Sequence, residues 1–471
     1  MSRPFAFGGA AALALAAASC GAPYADRVPY RPPAAVRAEL AAAAEEGPSG
    51  GAARRPPPPE APLDLERCVA TAIERNRRVG IGDRRILIER DRADEAFSRI
   101  MPRVSGDLRG TFRSNDVGFR FDERSGVTGD KDVGTASVSL IVPIYDFGGV
   151  GNAEAAALHG AASAEFDSLR ERQDLRRDVS LAYFRILETQ KIAGVVEESL
   201  ALVLRQLATS TDFYEQGLVA RNDVLAVEVE AAERRQDLLR AGRNVDLAVA
   251  TLNRLMGIDV TAPTLVVDVL ETPPWEGTFE KTLLSALHSR PDLDSLEEQI
   301  RRAQSEYLSD QANGLRPKLY AFGAYERSTD DFLLNQEWLE GGIALEIPIF
   351  DGGVTYARLA REKKEIAELV DLRDDRVDDV VLELKRTFLA QKDAADRVPV
   401  ARRSIELAEE NLRIVRDQYA EGLLTSSDVL VEEERLARSK SNYYRALYEY
   451  HMAFALLEHA AGGPLPEDRR P

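Results

Sequence analysis

The sequence predicts a mainly α protein with a small β part, built twice over around long antiparallel coiled-coil hairpins. Three observations carry that expectation. "VPIYDFGG" at Val142–Gly149 returns as "IPIFDGG" at Ile347–Gly353, with Pro143 on Pro348 and Asp146 on Asp351 at an offset of 205 residues. "FYEQGLVARNDVL" at Phe213–Leu225 returns at the same offset as "QYAEGLLTSSDVL" at Gln418–Leu430. Between these landmarks apolar residues recur every seven positions. Two motifs in one register mark an internal duplication, and a strict period of seven marks supercoiled helix pairs.

The chain opens "MSRPFAFGGAAALALAAASC". One Arg, a short Ala/Leu run and small residues read as a signal peptide over 1–19, because the apolar run falls short of the roughly 20 residues that cross a bilayer. Ala17-Ala18-Ser19-Cys20 resembles the lipobox of bacterial lipoproteins, which implies acylation of Cys20. Residues 20–62, rich in Ala and Pro and ending in "RRPPPPEAP", read as a tether. The only other cysteine, Cys68, reads as a small buried apolar residue, so no intrachain disulfide is expected. The formal charge of -18, with no basic run, argues against a nucleic-acid partner.

The first repeat, 63–262, begins with short helices at Leu63–Arg75 and Arg84–Ile100. Period-two alternation then marks strands in "VSGDLRGTFR" (Val104–Arg113) and "GTASVSLIV" (Gly134–Val142), a β-hairpin over 103–145 joined by a polar loop from Ser114 to Val133. The helical hairpin spans 149–256. Val179, Ile186, Ala193, Leu200, Leu207 and Tyr214 form one seam in its first arm, with Leu175, Ala182, Thr189, Val196, Val203 and Ser210 beside it. A linker occupies 263–276.

The second repeat, 277–462, runs likewise: helices at Phe279–Ser289 and Leu293–Gly314, strands at Leu319–Arg327 and Gly342–Ile347 within 317–349, and a helical hairpin over 354–462. Its seam is Val377, Leu384, Val398, Ile405, Leu412 and Tyr419, interrupted by Gln391. Residues 463–471 read as a disordered tail.

Two kinds of junction recur. Pro143 and Pro348 cannot donate to a ladder and mark strand ends. Asp146 and Asp351 carry N-cap chemistry for the long helices, beside Gly148 and Gly353. A phosphate-cradling loop would want Lys and Ser/Thr close behind, and neither copy has them. At the opposite ends Gly217 and Gly422 suit the left-handed turn that closes a helix, while Asp223 and Asp428 fall about a turn inside the next one. Leu218, Val219, Leu423 and Leu424 are expected to be exposed apolar residues at these tips.

Short helices, strand pair, "PI-aromatic-D-GG" corner, long helix, "YxxGLxxxxDVL" turn and long helix, performed twice over about 63–462, resemble the TolC-like family of bacterial outer-membrane efflux proteins. Four amphipathic strands cannot close a membrane barrel, so such a chain must share one. The resemblance implies a homotrimer: a twelve-stranded transmembrane β-barrel continued by an α-barrel tunnel through the periplasm. It implies a passive duct for small molecules, lipid-anchored in the outer membrane. Its partners would be a periplasmic adaptor docked at the tip residues and an inner-membrane transporter, proton-driven in the acylated branch. Asp428 matches an aperture-lining aspartate, and Asp223 and Tyr419 match residues tying neighbouring hairpins. Leu424 and Val431 stand where that pattern has an Arg and a second aspartate. Six carboxylates near one axis would favour cations and have raised pKa values.

The alternatives are the duct of a type I protein secretion system and, from another class, a periplasmic coiled-coil tether, which would have no use for the strands. The chain offers no paired nucleophile and base, its four histidines are scattered, and four Met give no soft-ligand stripe. No enzyme activity, cofactor or metal site is therefore expected.

Overall fold

The computed structural model describes residues 61–465 except 116, 123, 273 and 274. The signal peptide, Cys20, nearly all of the tether and the last six residues lie outside it.

Leu63 opens the described chain with a parallel bridge to Val266, and Asp64 then caps α1 (Leu65–Arg75), accepting from the Arg67 amide at 2.8 Å. Asn76 ends α1 and caps α2 (Arg77–Phe97), which begins two turns before the sequence pattern suggested and runs into a 3₁₀ turn at Ser98–Ile100. Strands β1 (Arg103–Phe112), β2 (Val117–Phe121), β3 (Arg124–Gly129) and β4 (Asp132–Tyr145) follow. Next come the hairpin of α3 (Gly149–Glu215) and α4 (Arg221–Met256), then α5 (Phe279–Ser289) and α6 (Pro291–Leu315). Strands β5 (Lys318–Ser328) and β6 (Glu337–Glu346) and the hairpin of α7 (Val354–Ala420) and α8 (Ser426–Ala460) complete the chain. Helices α3 and α7 each have 67 residues, about 100 Å at 1.5 Å per residue. No helix among the described residues is long and apolar enough to cross a membrane.

The larger sheet is antiparallel, in the order β1-β4-β5-β6, so β1 and β6 each have one unpaired edge. The side chains of these two strands are exposed almost throughout, including Val104, Leu108 and Phe112 on β1 and Leu339 and Ile343 on β6. Two expectations are corrected here. The span between β1 and β4 is not a bare loop, since β2 and β3 pair as a ribbon within it. Pro143 lies inside β4, opposite Tyr320 and beside a register shift, rather than at the strand's end. Pairing with β1 has already stopped at Ile141, so no partner on that side asks Pro143 for a donor. Strand β6 also begins five residues before the expected Gly342 and stops short of Pro348.

The main core joins α1, the middle of α3, the end of α4 and the middle of α8, through Val69, Ala72, Leu175, Tyr183, Ile186, Leu252, Met256 and Leu447. Cys68 is fully buried in it, and burial pushes its thiol up to about 12. The linker is tied to this core: the Tyr448 hydroxyl donates to Asp268 at 2.8 Å, and Lys191 pairs with the same carboxylate at 2.6 Å.

Seam residues of α7 from Val377 to Tyr419 are buried or half-buried, Gln391 included. On α3 the exception is Tyr214, which is exposed while Tyr419 is buried. Tyr419 is packed into the tip cluster with Leu412, Val429 and Leu436, a cluster that takes in Phe213 of α3 but not Tyr214. The remaining flanks of α4 and α7 carry exposed apolar residues, Leu225, Val229, Leu239 and Leu247 on one and Val400, Leu407 and Ile414 on the other. The last three keep the spacing of seven, so a second seam exists with nothing among the described residues against it.

Candidate functional site: hairpin tips and strand-to-helix corners

At both corners one carboxylate organises the start of a long helix. Asp351 accepts from the Gly353 amide at 3.0 Å and the Thr355 amide at 2.8 Å. Asp146 accepts from Gly148 at 3.1 Å and from Val150. The formal caps are Gly148 and Gly353, at φ of 91° and 86°, so each Asp satisfies the first free amides from two residues further out than a simple N-cap. The residue between is left-handed too. Gly352 takes φ 73° without cost, but Phe147 takes φ 54°, an uncommon state for an aromatic residue, with its ring edge-on to Tyr145 at 4.6 Å.

The tips superpose in chemistry at the same offset. Leu218 N donates to Phe213 O at 2.8 Å and Gly217 N to Tyr214 O at 2.9 Å; Leu423 N donates to Gln418 O and Gly422 N to Tyr419 O, both at 3.0 Å. These are the paired bonds of a Schellman end, which needs the left-handed glycine, and Gly217 and Gly422 have φ of 72° and 74°. Beyond the turns Leu218 and Leu423 are 66% and 69% exposed. Val219 and Leu424, expected to be exposed, are half-buried.

Asp223 and Asp428 sit earlier in their helices than expected. Each is the third residue, turned back onto the helix start. Asp428 accepts from the Thr425 amide at 2.8 Å and its hydroxyl at 2.7 Å, while Thr425 Oγ1 accepts from the Asp428 amide at 3.4 Å, a complete capping box. Asp223 accepts from the Ala220 amide at 3.3 Å, and Ala220, lacking a side-chain oxygen, leaves the reciprocal bond unmade. In the single chain the hydroxyl and amide of Thr425 hold the Asp428 carboxyl below its ordinary value, the opposite of the rise expected for clustered carboxylates.

Tyr419 is buried among Leu412, Val429 and Leu436, and its hydroxyl meets Ser210 of the other hairpin at 3.3 Å. Its ring lies 5.7 Å from that of Phe213. Among the described residues, no bond joins Asp223, Asp428 and Tyr419 to one another.

Residues 71–258 and 283–463 match the family described as outer membrane efflux protein. The chain belongs to the outer membrane efflux protein family. It is 26% identical to the alkaline protease secretion protein AprF of Pseudomonas aeruginosa, over 71% of its own length and 70% of that protein's. It is 23% identical to the outer membrane protein TolC of Escherichia coli strain K12, over 59% of each chain. The CmeC outer membrane channel of Campylobacter jejuni shares its fold, with a TM-score of 0.74 at 15% identity across 86% of this chain and 87% of that one.

This member of the family also holds a buried charge cluster that motif reading did not find. The Arg290 guanidinium is wholly buried, forked onto Asp292 at 2.8 and 3.0 Å, and bonded to Glu383 at 2.8 Å and the Ala460 carbonyl at 3.0 Å. Arg376 reaches Asp292 from α7 at 2.7 Å, and His459 meets Asp174 nearby. Its partners come from three parts of the chain. Only the sequence "SRPDLD", an Arg before a helix-starting Pro with acids behind it, hinted at a charged helix start.

Proposed function

We infer that this chain is one of three identical copies forming an outer-membrane exit duct, a passive conduit rather than an enzyme. The observation that carries the reading is the four-stranded sheet with two free edges and exposed apolar side chains. An open edge in lipid leaves backbone groups unpaired, and joining β6 of one copy to β1 of the next closes twelve strands into a barrel. The unpartnered seams on α4 and α7 support the same arrangement, since a neighbouring hairpin would fill them and extend the barrel into a periplasmic helical tunnel. The two halves, whose first hairpin helices are equal in length at one offset, then reflect an internal duplication that supplies two strand pairs and two hairpins per copy.

The proposed cargo is small molecules, in a three-part system with a periplasmic adaptor and a proton-driven inner-membrane transporter. Exposed Leu218 and Leu423, with Gly217, Val219, Gly422 and Leu424, form the adaptor-docking tip. Asp223, Asp428 and Tyr419 form the aperture, where assembly brings carboxylates together and opposes the depression from Thr425. Pro143, Asp146, Gly148, Pro348, Asp351 and Gly353 are structural joints. Cys20 carries the lipid anchor.

A second reading, a duct for secreted proteins, is favoured by the similarity to AprF, a protease secretion protein. Deleting the gene separates the two: sensitisation to small toxic amphiphiles supports efflux, and loss of a secreted protein without sensitisation supports secretion. The trimer itself is tested by the native mass of the detergent-extracted protein. Three chains support the duct, and a monodisperse monomer contradicts it.

A further inference from the structure

We propose that Trp338, Glu326 and Glu340 form a binding site for organic cations on the inner wall of the barrel, at the mouth away from the helices. The proposal rests on the exit-duct reading, which turns the polar face of the sheet inward. Side chains alternate along each strand, so the strand pairing sorts them into two faces. Val104, Leu108, Val138, Leu140, Leu339 and Ile343 share one face, the one suited to lipid. The other face carries Asp107, Ser137, Glu326 and Trp338 as one row across four strands, with Glu340 two residues beyond Trp338. Trp338 is the second residue of β6 and Glu326 is two short of the end of β5, so this pair lies at the end of the sheet far from the helices.

A tryptophan on the polar face has no internal task. Phe322, on the same face, covers Gly342, where an added Cβ would meet its ring at 3.2 Å; Trp338 covers no glycine. The Trp338 side chain is 39% exposed, and among the described residues no ring packs on it and no cation lies over it. Closure onto the next copy would not bury it under apolar side chains in any register, because β1 offers Arg103, Ser105, Asp107, Arg109 and Thr111 on this face. What surrounds the indole is negative charge. Glu326 is its direct cross-strand partner, with Cβ atoms about 5 Å apart, and Glu340 stands about 7 Å along the strand. Neither carboxylate has an ion pair among the described residues. Of the cations on this face, Arg109 pairs with Asp107 at 3.9 Å, while Arg103 and Lys318 sit at the helix ends of their strands. An aromatic face flanked by two unpaired carboxylates attracts a cation through its quadrupole and through charge. The broad apolar ring favours a weakly hydrated organic cation, a quaternary ammonium or a pyridinium, over sodium or potassium.

The test uses the full chain with Trp275→Phe, which leaves Trp338 as the only tryptophan, and N-methylpyridinium as the probe. In detergent the probe should quench Trp338 fluorescence saturably, and in planar bilayers it should reduce single-channel current over the same concentrations. Glu326→Gln with Glu340→Gln should weaken both effects about tenfold, while quenching by neutral acrylamide stays the same. Glu340→Gln alone, at an exposed position, gives the same direction at smaller size if the double variant misfolds. Asp428→Ala should leave the quenching midpoint in place, because the aperture lies at the opposite end of the helices. Trp338→Leu should abolish the block, and adding Leu339→Trp, on the other face, should not restore it. Quenching that rises without saturation, or a midpoint that the double Glu variant does not move, overturns the site, and normal conductance in the same protein leaves the duct standing. Saturable, Glu-dependent quenching by protein that inserts without conducting keeps the site and overturns the duct.

Discussion

Replacing Arg290 by Met should be among the most damaging single changes to the described part of this protein. The guanidinium is buried without residual exposure and ties Asp292 at the start of α6, Glu383 on α7 and the last carbonyl of α8. Removing one partner of a buried pair costs about 3–5 kcal/mol because the other charge stays behind unpaired. Asp292 keeps Arg376 and the Glu383 side chain is 34% exposed, so the lower end, about 3 kcal/mol, applies. Arg290→Lys keeps the charge but loses the fork, about 1–2 kcal/mol. For a chain this long, about 3 kcal/mol corresponds to a fall of roughly 3–6 °C in the melting of the helical circular-dichroism signal. The pH dependence gives a second check. Burial alone would raise the Asp292 pKa, but Arg290 and Arg376 outweigh it and hold the carboxyl well below the usual range. A depressed folded pKa means the stabilisation is present above the unfolded value of about 3.9 and is lost as pH falls below it. The gap between parent and Arg290→Met should therefore shrink from pH 6 to pH 3. Melting within about 1 °C of the parent at neutral pH, or a gap unchanged at pH 3, refutes the reasoning.

Other outcomes follow from the same geometry. Glu362 on α7 is buried, and that burial, with the Asp310 carboxyl beside it, raises its pKa to about 7. The native state therefore holds a proton that the unfolded chain releases near 4.3, and this contribution is lost as pH rises through about 7. Glu362→Gln should be more stable than the parent by about 1–2 kcal/mol at pH 8 and equal to it at pH 4, by urea titration; equal stability at both contradicts the burial argument. Thr425→Ala breaks the capping box and should speed amide exchange in the first turn of α8 about fivefold, whereas Ala220→Thr should complete the box at Asp223 and slow exchange there. No slowing with Ala220→Thr would show that Asp223 is not poised for the reciprocal bond. Gly422→Ala forces a side chain into the left-handed turn at a cost of about 1 kcal/mol, read as faster exchange of 418–425.

Much of this fold was legible because its determinants are local and repeated. A seam every seven residues fixes where a helix must face a partner, and the glycines at Gly217 and Gly422 stop both hairpins in the same left-handed turn. What was hidden has physical reasons. The ribbon of β2 and β3 is interspersed with charge, so its alternation passed for a loop. Pro143 is tolerated inside β4 because β1 has already ended. Thr425-x-x-Asp428 was readable as a capping box, but placing the helix start too early put Asp428 a turn inside. The Arg290 cluster could not be read, because Asp292, Glu383 and Ala460 meet only after three distant stretches have folded together.

The claim that this chain builds a shared, cation-favouring pore is tested most directly by single-channel recording of the purified full chain in planar bilayers. The account predicts discrete, uniform conductance steps with cation selectivity that weakens in the Asp223→Ala, Asp428→Ala double variant. Folded protein that inserts without conducting contradicts the pore, and selectivity unchanged in the double variant contradicts the acidic aperture.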